Sequence, residues 1–172
     1  MLVRLLIARK RQEVVTYPQL SQWTGLSASE THASVRRATA CGLLTGMLAN
    51  GAGAFPWSPA PAACQEFLLH GLKYVFPLEI GVVQRGIPTG TSAPGMNEGS
   101  QSVLEGDTWV WPHADGTEKG IGIKPLYRTV PQVVRSDEML YQAMAALDLL
   151  RCSSHRPRRL GENWLKEHLL RS

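Results

Sequence analysis

Apolar residues fall at helical spacing near the beginning and at the end of the chain, and the middle is broken up by glycine, proline and short extended runs. Leu2, Val3, Leu5, Leu6 and Ile7 predict a packed helix over residues 1–12. In residues 16–44, TYPQLSQWTGLSASETHASVRRATACGLL, two helix starts of one design follow. Thr16 stands three residues before Gln19 and Ser27 three before Glu30, the spacing of a capping box. The first helix runs over 17–24, with Pro18 tolerated in its first turn, and stops at Gly25; the second runs over 28–41 and stops at Gly42. Gly25, Leu26 and Ser27 alone separate them, a turn of the length that joins the two helices of a helix-turn-helix.

The second of these helices sorts its residues. Thr31, Val35 and Ala38 fall on one stripe, which Leu20, Trp23 and Leu26 can meet from the preceding helix and turn. Opposite lie Ser29, Ala33, Arg36 and Ala40, flanked by His32 and Arg37, with no carboxylate among them. Such a slim, basic and polar face suits a major groove, where Arg forks onto guanine and Ser or His reaches base edges or phosphate. Ser27 at the N-terminus of this helix, and Thr16 and Gln19 at the start of the first, complete the candidate DNA-binding set. Glu30 sits in the N-terminal turn, where it caps and complements the dipole. An amphipathic helix with two arginines is also a common solvated face, so the wider context decides.

Charge supplies part of that context. The chain holds 18 Lys and Arg against 14 Asp and Glu, a net of +4, with a pI of about 9.2. Within residues 1–50, Arg4, Arg9, Lys10, Arg11, Arg36 and Arg37 face only Glu13 and Glu30, so the whole excess lies there. A segment that approaches phosphates needs such a bias, and its size predicts a few phosphate contacts rather than a strongly electropositive surface. The first apolar run does not read as a signal peptide, because Arg4 interrupts it, it is too short to span a bilayer and no small-residue cleavage site follows. No other stretch approaches the ~20 apolar residues of a transmembrane helix, and the sequence predicts a soluble, cytoplasmic protein with no membrane partner.

At GLSASETHASVRRATACGLL the chain resembles the recognition half of bacterial winged-helix transcriptional regulators of the MarR-like kind. In those proteins a Gly-hydrophobic-Ser turn precedes the recognition helix and a Gly-Leu-hydrophobic step leads out of it. The resemblance covers about residues 1–50. It implies a winged-helix DNA-binding head, often dimeric, that represses or autoregulates a promoter. One departure stands out: where such heads carry a hairpin rich in β-branched and basic residues, this chain has MLANGAGAFPWSPAPAAC, without a charge. A wing that is short, distorted or missing is expected. Further on, HGLKYVFP, RGIPT, VWP, DGTEKG and KPLY resemble the second half of small bacterial proteins that also begin with a winged helix, which implies a regulator of a toxin–antitoxin or phage-defence operon.

The rest of the chain is read from pattern. Residues 49–61 predict a loop or linker, and residues 61–74 a helix with Phe67, Leu68, Leu72 and Val75 facing a core and His70 and Lys73 off that stripe. A Gly-, Ser- and Asn-rich stretch over 89–106 predicts mobility, and residues 108–112 and 120–127 read as short extended segments. Ser136, Asp137 and Glu138 start a helix in which Leu140, Ala143, Met144, Leu147 and Leu150 repeat up to Arg151. Pro157 forbids its continuation. A last helix over 158–170 puts Leu160, Trp164, Leu165 and Leu169 on one side, giving a helical hairpin over 136–170. Its connection, CSSHRPRR, is the densest basic cluster: a solvated loop, or a second phosphate contact beside the helix-turn-helix.

Catalytic signals are poor. Cys41, Cys64 and Cys152 are odd in number and far apart, which suits a reducing compartment better than a disulfide framework. His113 with Asp115 reads as a polar turn rather than a metal site, and no phosphate-loop pattern is present. The chain is accordingly read as a non-enzyme with no cofactor and no metal. The expected fold class is mainly α with short β elements: a winged-helix-like three-helix head over 1–48 and a mixed body over 60–172 that ends in the hairpin. The body's apolar helix surface exceeds what its strands can cover, which predicts a homodimer seamed by the last two helices, with two heads reading half-sites about one DNA turn apart. The expected function is a sequence-specific, double-stranded DNA-binding regulator, a repressor or autoregulator. Two other classes stay open: an antitoxin-like module whose helix-turn-helix is a scaffold and whose mobile stretch orders on a protein partner, and a regulator sensing a small-molecule effector in a pocket lined by Trp109, Trp111, Tyr127 and Phe76.

Overall fold

Three helices open the chain in the computed structural model, which describes residues 1–46, 57–96 and 108–171: α1 (Leu2–Lys10), α2 (Tyr17–Thr24) and α3 (Ala28–Ala40). Thr16 Oγ1 accepts the Gln19 amide and so caps α2, while Gln19 Oε1 turns to the Thr16 hydroxyl at 2.8 Å. At α3 the capping box is complete: Ser27 Oγ accepts the Glu30 amide at 3.2 Å and Glu30 Oε2 accepts the Ser27 amide at 2.9 Å. Gly25 ends α2 at φ +64°, a left-handed position that a side chain disfavours. A Cβ there would also lie 3.0 Å from the Cβ of Thr129. Leu20, Val35 and Ala38 meet Leu5 and Leu44 in a small core of their own.

A hairpin does follow α3. Leu44–Gly46 (β1) and Trp57–Pro59 (β2) pair antiparallel, with Leu44 opposite Pro59 and Gly46 opposite Trp57. This corrects the loop expected over residues 49–61 at its C-terminal end; residues 47–56 lie outside the described residues. Trp57 packs on the head core and Pro59 is buried, so tertiary contact overrides a composition that reads as linker.

The body begins with α4, a continuous helical run made of Pro61–Glu66, a π turn at Phe67–Gly71 and Leu72–Val75. Its buried residues are Cys64, Leu68, Leu69 and Leu72, whereas Val75, expected in the core, is 60% exposed because the helix is ending there. Three strands form a small closed barrel: β3 (Ile80–Pro88) pairs antiparallel with both β4 (Trp109–Pro112) and β5 (Glu118–Ile123), and β4 pairs parallel with β5. β3 carries no alternation to announce it, since Ile80, Val82 and Val83 are all exposed. The extended segment expected over 120–127 is displaced to Glu118–Ile123. Of the stretch expected to be mobile over 89–106, residues 89–96 are packed, with Thr89, Ala93 and Met96 buried; residues 97–106 lie outside the described residues.

A short helical turn, α5 (Val130–Val133), leads to α6 (Glu138–Arg151), which is capped by Asp137 rather than by Ser136. The Asp137 carboxylate accepts the Leu140 amide and also pairs with Arg11 at 2.7 and 3.0 Å, tying the start of α6 to the end of α1. The last helix, α7, starts at His155, three residues before the expected point, and extends through Leu165 into a π turn at Lys166–Leu170. Pro157 falls in its first turn, where a missing N–H costs nothing. Gly161 lets α7 cross α6 closely, since a Cβ there would lie 2.5 Å from the Ala146 carbonyl oxygen.

α6 is the centre of the molecule. Ala143 through Arg151 are all buried, and the apolar ones among them share one cluster with Val3, Leu6 and Ile7 of α1, Leu68 and Leu72 of α4, Trp111 of β4 and Trp164, Leu165 and Leu169 of the hairpin's second limb. The surplus apolar surface expected on the last two helices is therefore absent: Leu140, Leu147, Leu150, Trp164 and Leu169 are each less than 9% exposed in the single chain. Each contributes about 1.5–3 kcal/mol by burial. Uncovering them to make a seam would cost on the order of 10 kcal/mol, comparable with the ~5–15 kcal/mol that holds a whole domain folded, and the proposed seam is thereby corrected. Asp148 and Arg151 add a polar staple. Asp148 accepts from the Thr89 hydroxyl, the Trp111 indole and Arg151, and Arg151 also donates to the carbonyls of Phe76, Pro77 and Lys124. Burial pushes the Asp148 carboxyl above its ordinary range, and these donors oppose that shift.

Candidate nucleic-acid interface

α3 presents three faces, one more than its sequence suggests. Thr31, Val35 and Ala38 are buried, as their stripe requires. Ser29, His32, Arg36 and Ala40 are exposed and point away from the protein. Between these runs a third face, Glu30, Ala33, Ser34, Arg37 and Cys41, which borders a pocket toward the body. Ala33, expected on the outward stripe, is half-buried on this third face. Arg37 is exposed at the pocket's rim, where its Nη2 donates to Ser34 Oγ at 3.1 Å. Arg36 has no partner among the described residues. His32 is exposed, yet its ring stacks on Tyr17 with centroids 4.1 Å apart, which fixes its direction. Ser27 and Gln19 are exposed and Thr16 is half-buried, all three engaged in the caps.

The N-terminus of α3 is held by residues far away in the chain. Glu30 receives hydrogen bonds from the Tyr127 hydroxyl and, at 3.2 Å, from Arg128, while the Thr129 hydroxyl donates to the Thr24 carbonyl at 2.6 Å. The bond from Tyr127, with those from Ser27, draws the Glu30 carboxyl down to about 2, and the same bond pushes the Tyr127 hydroxyl up. The carboxylate nearest the outward face is thus held ionised against Tyr127, with Arg128 as its counter-charge. Nothing local in the sequence marks Tyr127, Arg128 or Thr129 for this role; Gly25, whose turn leaves no room for a side chain beside Thr129, is the sole local trace.

The positive excess of the first fifty residues is only partly available to a ligand. Arg4 is buried and paired with Glu13 at 2.8 Å, Arg11 is paired with Asp137 and Glu13, and Lys10 donates to the His168 carbonyl. Arg9, Lys10, Arg36 and Arg37 are the exposed cations of that segment without an ion pair among the described residues, and of these Lys10 is taken up by the His168 carbonyl. The basic run at 155–159 is the start of α7 rather than a loop. The hairpin reaches the head elsewhere, at its open end through Arg11 with Asp137 and Lys10 with the His168 carbonyl, and along α6 through Val3, Leu6 and Ile7.

Other candidate residues resolve simply. His113 Nδ1 accepts the Asp115 amide at 3.2 Å, a polar turn. The cysteines are free thiols. Trp111 is fully buried against Asp148, and neither it nor Trp109 borders the pocket, whereas Tyr127 and Phe76 do. Among the described residues no helix is long and apolar enough to cross a membrane. No family model matches the chain, and no curated protein or solved structure does either.

Proposed function

We propose that the protein is a sequence-specific, double-stranded DNA-binding transcriptional regulator, a winged helix-turn-helix head that lays α3 in the major groove and acts as a repressor or autoregulator in the cytoplasm. One observation carries this reading: the outward face of α3 offers Ser29, His32 and Arg36 to solvent, free of carboxylates, while Glu30 is held aside by Tyr127 and Arg128. A slim helix face with an unpaired arginine suits base-edge readout, and Arg9 and Arg37 suit phosphate. The β1–β2 hairpin supports the wing, and Ser27 places a capped helix N-terminus where phosphate binds.

Selection from a random duplex pool, followed by salt titration, tests it. Arg36→Ala should cost ~1–3 kcal/mol on the selected sequence and relax one position, while Arg37→Ala should weaken all sequences alike and lower the salt slope by about one. Equal losses on selected and random DNA for both variants would contradict the assignment. For a homodimer, six of the eight exposed large apolar residues described, Tyr74, Val75 and Phe76 at the end of α4 with Ile80, Val82 and Val83 of β3, fall within ten positions of one another, and we place the seam there. Light scattering on Val82→Asp checks it, with a wild-type dimer and a variant monomer as the expected result.

A further inference from the structure

α7 begins against its own electrostatics. The start of a helix is the positive end of its backbone dipole, where carboxylates stabilise and cations destabilise. α3 and α6 obey this rule, opening on Glu30 and Glu138 and closing on Arg37 and Arg151. α7 inverts it. His155, Arg156, Arg158 and Arg159 crowd its start, no acidic residue stands in the first turn, and the Ser154 side chain provides no cap.

The fold offsets little of this. Glu162, the nearest carboxylate along α7, is taken up by Lys166 at 2.6 Å, with the half-buried Arg158 also beside it. Arg156 and Arg159 are exposed and without an ion pair among the described residues. They stand three apart, so they are neighbours on one helix face and repel each other. Pro157, Gly161, Trp164 and Leu165 are buried on the opposite side of α7, which keeps both guanidinia turned outward.

Local and global preferences agree through most of a folded chain, and conflicts kept at the expense of stability collect at functional sites. A partner that carries several anions close together relieves this one. Arginine forks match phosphate oxygens two at a time, and duplex DNA presents one phosphate per ~1.7 Å of its axis. The basic turn is also joined by a short path to the candidate DNA-reading helix. Arg151, four residues before His155, donates to the Lys124 carbonyl, and Tyr127, three residues after Lys124, donates to Glu30 in the first turn of α3. Such a path is on the order of the ~34 Å of one duplex turn.

We propose that Arg156 and Arg159 hold the phosphate backbone of the same duplex that α3 reads, outside the groove that α3 enters. The body thereby supplies a second anchor that is indifferent to sequence. For its partner the anchor rests on the DNA-binding reading; for its charge it rests on α7 alone.

The test uses the full chain with the selected duplex, a random duplex of equal length and a salt titration of each. Arg156→Gln with Arg159→Gln should weaken both duplexes alike, by roughly tenfold, and lower the salt slope by about two, with base preference kept. Its urea midpoint should equal or exceed that of the wild type, because the cations oppose the dipole. Arg156→Lys with Arg159→Lys should retain the slope. Hydroxyl-radical footprinting of the wild type should show protected sugars beyond the selected bases, exposed again in the glutamine variant. An unchanged slope in that variant, or a loss confined to the selected duplex, overturns the anchor. So does a wild-type footprint confined to the selected bases, whether or not the variant folds. A urea midpoint below that of the wild type overturns the argument from the dipole. Arg36→Ala separates the two readings: if it leaves the preference for the selected duplex intact while the glutamine variant flattens the slope, α3 is not the reader and the anchor stands. A chain that binds neither duplex overturns both.

Discussion

Two arginines, Arg4 and Arg151, are each 6% exposed and each paired with a carboxylate, and they are satisfied to very different degrees. Arg151 spreads its donors over Asp148 and the carbonyls of Phe76, Pro77 and Lys124. It thereby gathers the end of α4, the segment after β5 and α6 at one point. Arg4 keeps one pair with Glu13, one aromatic face and an unmet N–H. Equal burial hides this difference. The guanidinium with every donor met joins three segments at one point, whereas the one with a donor to spare carries the desolvation cost of that N–H without a compensating hydrogen bond.

Removing one partner of each pair should separate the two cases, with the larger effect at the staple. Asp148→Ala leaves the Arg151 charge buried beside an empty site, and should cost about 3–5 kcal/mol in urea unfolding. Replacing both partners, Asp148→Leu with Arg151→Met, should recover a large share of that, since the burden is the stranded charge rather than the lost attraction. A single variant within about 1 kcal/mol of wild type would mean that the network is no staple.

At Arg4 the expected effect is smaller. Arg4→Met keeps the packing stem, removes the unmet donor and leaves Glu13 with a 30% exposed, solvated side chain that still lies 3.6 Å from Arg11. The change in stability should stay within about 1 kcal/mol. A loss as large as that of Asp148→Ala would break the distinction. Truncation after Arg135 gives the coarser contrast. α1 buries Val3, Leu6 and Ile7 against the cluster centred on α6, so the three opening helices should lose cooperative unfolding when that cluster is removed, as circular dichroism would record.

The same contrast explains what could be read from the chain by eye. Thr16, Gly25, Ser27, Glu30 and Gly42 act within a few residues of themselves, and α2 and α3 were legible to within a residue. Pattern also gave Leu140 to Leu150 as a helix, yet it could not say what covers them, and apolar surface meant for α1 and α4 read as a dimer seam. β3 was illegible because its first half exposes Ile80, Val82 and Val83 and so lacks the alternation of a half-covered strand. Arg4 looked like an interruption of an apolar run and is part of the core. Of the candidate interface, Ser29, His32 and Arg36 were visible from helical spacing; Ala33 and the pocket behind it depend on residues 126–133, nearly a hundred positions away.

The smallest effect concerns a third charged contact, the exposed one at Glu30, where solvent screens what burial magnifies at Asp148. Hydrogen bonds from Tyr127 and Ser27 draw its carboxyl from the ordinary 4.5 down to about 2 in the folded protein. The folded state therefore holds the carboxylate proton less well than the unfolded chain does. The resulting stabilisation is complete above about pH 4.5 and is lost as the pH falls toward about 2. Glu30→Gln keeps the shape of the contact and removes the ionisation, so the urea midpoints of wild type and variant should differ most near neutral pH and converge through that window. Tyr127→Phe, which removes the first of the donors, should flatten the wild-type slope in part. A gap between wild type and Glu30→Gln that stays constant from neutral pH down to about 2 would show that Glu30 acts on α3 through its cap geometry alone, and that its charge takes no part in joining α3 to the body.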